Sequence, residues 1–350
     1  MTIEQFVRRM PKVEINLQFE GAVPSETLIV IAEQNDVPLK NKRFKNWLKQ
    51  LETLDYTNLP ELIRETSNWI QQPEDFTRIV YEIGVALAKQ NVQYAEIGFA
   101  PHLYASSGLT FEQLLTALND GRERVHRAWN VQLRWVLNAM RDEPQAIDDV
   151  IKWASGSAGI KGGIVGIGLI GREVRGWTDT FERAFRTAQK KGLSSTITLL
   201  DGTASPDLLL ERFEPRRIEV GLATASDQSA VRLLTDRSVF VGLTPVQSVA
   251  KGSIATYGEF PLRQLVDDGA RVYLGAGMPN FYRTLLIKEY MAAIQDANLT
   301  VRELEQISSN AVDASFMGDE DKATLRQSFT EICAALRDEL NLDAEATLSR

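Results

Sequence analysis

Polar and apolar positions alternate one for one over Val13-Glu-Ile-Asn-Leu-Gln-Phe19, the period of a strand with two unlike faces. Glu14, Asn16 and Gln18 share one face; Ile15, Leu17 and Phe19 share the other. Leu28, Ile29, Ile31 and Ala32 then predict a short helix that ends before Val37-Pro38. From 42 to 89 the spacing is helical throughout: Trp47, Leu48 and Leu51, then Leu59, Leu62, Ile63, Trp69 and Ile70, then a longer stretch over 76–88. After that the chain alternates regularly. Strands predicted over 92–99, 131–138, 163–169, 195–200, 217–220, 239–243 and 271–276 are followed by helices over 110–127, 144–155, 178–190, 207–212, 227–234, 261–266 and 281–295. With the opening strand this makes eight strand–helix units. That number, with parallel crossovers, predicts an α/β fold: a closed (β/α)8 TIM barrel in one domain over 1–350 instead of an open sheet. The block at about 42–90 reads as a helical insertion after the first strand, or as an unrelated helical subdomain. The tail, about 300–340, is helical and is expected to pack outside the barrel.

Composition narrows the function more than the fold. A net charge of -8 lacks the basic face of a general nucleic-acid binder. No apolar run reaches about 18 residues, so no membrane span is expected. The single Cys333 excludes an internal disulfide, and the opening residues lack the apolar core of a signal peptide; both point to the cytoplasm. Histidine is scarcer still, with only His102 and His126. A catalytic zinc site takes three protein ligands, usually rich in imidazole, plus water. The expectation is no metal site and no cofactor.

Several motifs carry a resemblance. Pro11-Lys-Val-Glu-Ile-Asn-Leu-Gln-Phe-Glu-Gly21 with Pro24-Ser-Glu-Thr-Leu28 resembles the opening of the adenosine deaminase family, Pro-Lys-x-Glu-Leu-His-x-His-Leu-Glu-Gly and Pro-x-Glu-Thr-Leu. Tyr94-Ala-Glu-Ile-x-Phe99, Gly108-Leu-Thr-Phe-Glu112, Pro261-Leu-Arg263, Thr284-Leu285 with Glu289-Tyr290, and Asn310-Ala-Val-x-Ala-Ser-Phe316 extend the match to roughly 8–325. The resemblance implies a barrel of the metal-dependent hydrolase type, with the insertion covering a pocket at the C-terminal ends of the strands.

At the functional positions the chain departs from that pattern. The first strand of the family supplies two zinc ligands as His-x-His, and Asn16 and Gln18 stand there. The fifth ends in His-Ala-Gly-Glu, which the ungapped match aligns with Thr198 and Asp201, a one-residue slip being possible. The sixth ends in Ile-Gly-His-Gly, here Ile218-Glu-Val-Gly221, so Val220 replaces the histidine. The seventh reads Thr244-Pro-Val-Gln-Ser248 in place of Cys-Pro-Thr-Ser-Asn. The eighth reads Gly277-Met-Pro279 in place of Asp-Asp-Pro. Amide and hydroxyl groups do not replace imidazole and carboxylate on a borderline-soft ion. Removing the aspartates together with the metal leaves no stranded carboxylate.

Two readings follow. The first is an adenosine deaminase-like pseudoenzyme without zinc-dependent deaminase activity, kept for binding, regulation or partnership. Its partners would be a purine nucleoside or related small molecule, and a homo-oligomer or a hetero-oligomer with an active paralogue, with no nucleic acid and no membrane. The alternative is a repurposed metal-independent enzyme acting on a purine nucleoside or other small molecule in the same pocket. Its acid–base candidates are Asp201, Glu219 and His102, set against solvated loop acids and a satisfied loop histidine. Ligand-binding candidates are Asn16, Gln18, Glu20, Gly171, Thr198, Asp201, Gly277 and Met278. Gly171 matches the family position whose backbone meets the purine; Asn16 and Gln18 are either a recognition pair or fillers. A hard-cation site on Asn16, Gln18 and Asp201 would be weak. The glycine run from Gly162 to Gly171 crosses a strand instead of opening a helix, so it fails as a dinucleotide cradle.

Overall fold

Eight parallel strands run in sequence order around the centre of the molecule: β1 (Lys12–Gln18), β2 (Val92–Phe99), β3 (Gln132–Met140), β4 (Ile164–Ile170), β5 (Ser194–Leu199), β6 (Arg217–Val220), β7 (Phe240–Leu243) and β8 (Arg271–Leu274). The computed structural model describes residues 2–37, 56–173, 176–200 and 204–347. The expected helix around Trp47, Leu48 and Leu51 lies outside them, as does Asp201. A parallel bridge between Leu17 and Gly277 closes the circle, with the Gln18 N–H donating to the Gly277 carbonyl at 2.8 Å. The alternation of the chain thus builds the barrel it predicts, because each amphipathic helix covers the apolar outer face of the strand before it.

Local departures have local causes. β1 stops at Gln18, and Phe19 starts a helical turn (Phe19–Ala22) that places its ring edge-on to Phe99, with centroids 5.2 Å apart. The helix Leu59–Ser67 ends before Trp69 and Ile70, which are buried just after it. A helix over Pro245–Ala250 follows β7 directly and was not expected; Pro245 starts it, its fixed φ being suited to a first turn. The single helix predicted over 281–295 is two, Pro279–Tyr282 and Leu286–Gln295, parted at Arg283, whose φ is 51°.

The N-terminal end of the barrel is sealed. Arg217 of β6 donates to Glu96 of β2 at 2.6 Å and to the carbonyls of Ile15 and Ala314, and its guanidinium lies 4.1 Å from the centre of the Phe316 ring. Tyr94 donates to the other Glu96 oxygen at 2.9 Å. Phe316 follows the helix Val301–Ala314, so the C-terminal helices do pack on the barrel, at its base. The strands' C-terminal ends form the open mouth. No helix among the described residues is long and apolar enough to cross a membrane.

Candidate functional site at the barrel mouth

β1 presents Asn16 and Gln18 on its inner face, and both remain partly exposed in the middle of the barrel. Each amide has one end tied to a residue two strands away around the barrel. Asn138 of β3 donates to Gln18 Oε1 at 2.6 Å. Asn16 Nδ2 donates to Thr244 Oγ1 at 3.4 Å, and Thr244 donates in turn to the Gly275 carbonyl at 2.9 Å. The Gln18–Asn138 pair fits because two strands carry glycine beside it. A Cβ at Gly98 would stand 2.5 Å from Asn138 Nδ2 and closer still to Gln18 Oε1, and one at Gly168 would overlap Asn138 Oδ1.

The rest of the mouth is built around this floor. Thr198 of β5, across the barrel from β1, is partly exposed, and its carbonyl accepts from the buried Arg141. Arg141 also donates to the Gly171 carbonyl at 3.0 Å and lies 4.4 Å from the centre of the Trp177 ring, so one guanidinium ties together the ends of β3, β4 and β5. Gly277 has a φ of 61°, and its carbonyl makes the closing bond to β1. Met278 packs against Gly21. A cavity of about 300 Å³ opens at the ends of β5 to β7, lined by Leu200, Val220, Thr244, Gln247, Ser248 and Phe260 among others. A larger hollow of about 540 Å³ lies on the outer surface between the helices Pro73–Ala88 and Phe111–Trp129, away from the strand ends.

The charged candidates separate by depth. Glu20 is buried, accepts from the Ala100 N–H at 3.0 Å and is pushed up to about 7 by burial. Glu219 is not at the mouth: it is buried in the barrel, accepting from Thr196 at 2.6 Å and Tyr273 at 2.8 Å, and burial raises its pKa. Beneath Asn16, Glu14 accepts from the backbone N–H groups of Asn16 and Ala276 and is pushed up to about 7 by burial. His102 lies at the rim after β2. Its Nε2 is 3.5 Å from Glu143 Oε2, neither ring nitrogen has a hydrogen bond among the described residues, and burial lowers its pKa. Arg64, from the insertion, donates to both Asp142 at 2.7 Å and Glu143 at 3.0 Å, latching the helix Leu59–Ser67 onto the segment after β3.

Asn16, Gln18 and Gly277 therefore adjoin where β1 meets the end of β8, with Thr198 on the opposite strand; Glu219 does not join them, and Asp201 lies outside the described residues. Sequence reasoning missed Asn138 and Arg141. Asn138 sits at an inward position near the end of β3, the place where a polar residue in an apolar run signals the mouth.

The profile of the family described as "Adenosine deaminase" matches residues 11–332. The chain belongs to the adenosine deaminase family. The adenosine deaminase of Clostridium kluyveri is 24% identical over 341 residues, covering 94% of this chain and 96% of that one. That of Enterococcus faecalis is 26% identical over 342 residues, covering 94% and 98%. Among solved structures, an amidohydrolase from Burkholderia ambifaria with bound zinc superposes with a TM-score of 0.87 at 19% identity, covering 98% and 95%. An N6-mAMP deaminase from Arabidopsis gives 0.81 at 22% identity, covering 93% and 99%.

Proposed function

We propose that this chain is a metal-independent member of its family, whose barrel mouth binds a small molecule of the purine nucleoside or nucleotide class without zinc-dependent deamination. The observation that carries this reading is the bonding of Asn16 and Gln18, each fastened to protein at the positions where the family motif has histidine. Zinc takes imidazole, thiolate or carboxylate. Here the matching positions offer two amides, the Thr198 hydroxyl and, at Gly277, no side chain. Glu14, the carboxylate nearest Asn16, has both oxygens engaged by backbone N–H groups. The donor set does not fit the ion, and no chemical step is derived through it. Solved neighbours from Arabidopsis are described in complex with GMP and with IMP, which supports a purine-sized guest in a mouth of this architecture.

The test is thermal unfolding of the chain with purines, nucleosides and nucleotides, each with and without added zinc, alongside an ammonia-release assay. A ligand at 100 times its dissociation constant adds about 2.7 kcal/mol. The expected result is a zinc-independent shift with a purine ligand; a zinc-dependent shift accompanied by ammonia release would sink the proposal.

A second reading, a metal-independent enzyme, is favoured by one arrangement. His102 sits beside Glu143, which Arg64 orients, the order of parts used by a general base with a supporting carboxylate. Turnover of any bound ligand, abolished by His102→Asn without loss of binding, would establish it.

A further inference from the structure

We propose that Asn16 and Gln18 together read the edge of an uncharged planar ring, one that carries a hydrogen-bond donor next to an acceptor, as a cyclic amide or amidine does. This rests on the reading of the mouth as a small-molecule pocket. It adds what Asn16 and Gln18 select at the centre of the mouth, beside the cavity that Thr244 lines.

The charged groups around the floor are engaged within the protein: Glu14, Glu96, Arg217 and Glu219 are buried and bonded below it, and Arg141 is buried against the Thr198 and Gly171 carbonyls. The inward groups that stay partly open, Asn16, Gln18 and Thr198, are neutral. A charged group driven to Asn16 and Gln18 would be met there by neutral amides and would lose its hydration, so the inner end of a guest is uncharged.

The amides also differ in what they leave available. Gln18 gives its carbonyl oxygen to Asn138, so its NH2 group remains as a donor. Asn16 gives its NH2 group to Thr244, so its carbonyl oxygen remains as an acceptor. Neither remaining group has a hydrogen bond among the described residues. The two stand two residues apart on one strand face, roughly 7 Å along the backbone, and glutamine is one methylene longer. A ring edge with a donor beside an acceptor complements that pair. The strand that carries metal ligands in the family pattern thus becomes a hydrogen-bond reader.

The test is calorimetric titration of the full chain, without added metal, against two matched pairs: inosine with 1-methylinosine, and adenosine with N6,N6-dimethyladenosine. In each pair methylation removes the edge donor that would meet Asn16. The parent nucleosides should bind, and the methylated ones should lose about tenfold or more, the scale of one buried hydrogen bond left unmade. Gln18→Met, with its fold checked by circular dichroism, should weaken both parents by a similar factor. If parents and methylated partners bind alike, the edge reading is overturned while the pocket reading stands. If none of the four binds, and neither IMP nor AMP does, the pocket reading falls and this inference with it.

Discussion

Gly98→Ala places one methyl group into the best-defined contact of the mouth. Its Cβ would stand 2.5 Å from Asn138 Nδ2 and nearer still to Gln18 Oε1, where an ordinary contact to carbon lies at roughly 3.5 Å. Both atoms are side-chain ends joined by one hydrogen bond, so the clash is relieved only when they turn apart and give up that bond. Overpacking of this kind costs about 1–3 kcal/mol, and losing the 2.6 Å bond between the two amides adds about 1 kcal/mol. The total is about 2–4 kcal/mol, read by urea denaturation, with a fall of several degrees in the melting midpoint. Combined with Gln18→Ala the nearer of the two contacts is gone and Asn138, released from its partner, can turn away, so the two changes should be non-additive by about 1 kcal/mol or more. A Gly98→Ala protein within about 0.5 kcal/mol of the parent, or strict additivity in the cycle, would refute the placement of these side chains.

Three further outcomes are expected. Asn16→His with Gln18→His should not take up stoichiometric zinc, because Thr198 and Gly277 still supply no matching ligand; adding Thr198→His and Gly277→Asp should, as metal analysis after dialysis would show. Glu96→Gln removes the closer of the two carboxylates beside the buried Arg217, leaving Glu219 at 3.5 Å, and should cost about 3 kcal/mol in urea denaturation; a loss below about 1 kcal/mol would mean that Glu96 does not pair with Arg217 in the folded chain. Glu14 and Glu20 are both pushed up to about 7 by burial, from an ordinary value of 4.5. Between those values the folded chain holds protons that the unfolded chain has released, so stability should fall as pH rises from about 5 to 7.5, by roughly 1–3 kcal/mol for each group. Denaturation curves that show stability rising across that window would contradict the burial of these carboxyls.

The barrel was legible in the sequence because its signal is spread over many residues. Each strand's apolar run and each helix's period is an independent vote, and errors at the ends do not change the count of eight. Where the prediction slipped, a single residue decided the geometry: Arg283 in a left-handed conformation, or Pro245 opening a helix that has only six residues to show a period. The site was legible only as a set of places. Motif spacing picked out Asn16 and Gln18, but their meaning depends on Asn138 and Thr244, which are 120 and 228 residues away. Nothing in Glu219's own neighbourhood distinguishes a strand-end acid from an interior one. Its position follows from Tyr273 and Thr196 on two other strands.

The depth at which charge survives explains why the departures from the family pattern form one coherent set. Below the mouth, Glu96 has Arg217 and Tyr94, Glu219 has Thr196 and Tyr273, and Glu14 has two backbone N–H groups, so each buried acid is compensated. At position 277 an aspartate would find the Thr244 hydroxyl as its nearest polar neighbour and no cation among the residues that a Cβ there would meet. Without a metal ion that carboxylate would cost several kcal/mol or take up a proton. Glycine removes the charge and also adopts the positive φ at which the Gly277 carbonyl reaches β1. The glycine that stands where the family pattern has aspartate therefore also serves the closure of the barrel. On the metal-independent reading proposed above, neutral side chains at the other positions are the stable choice, and their unused donors and acceptors are what a guest in the mouth would meet.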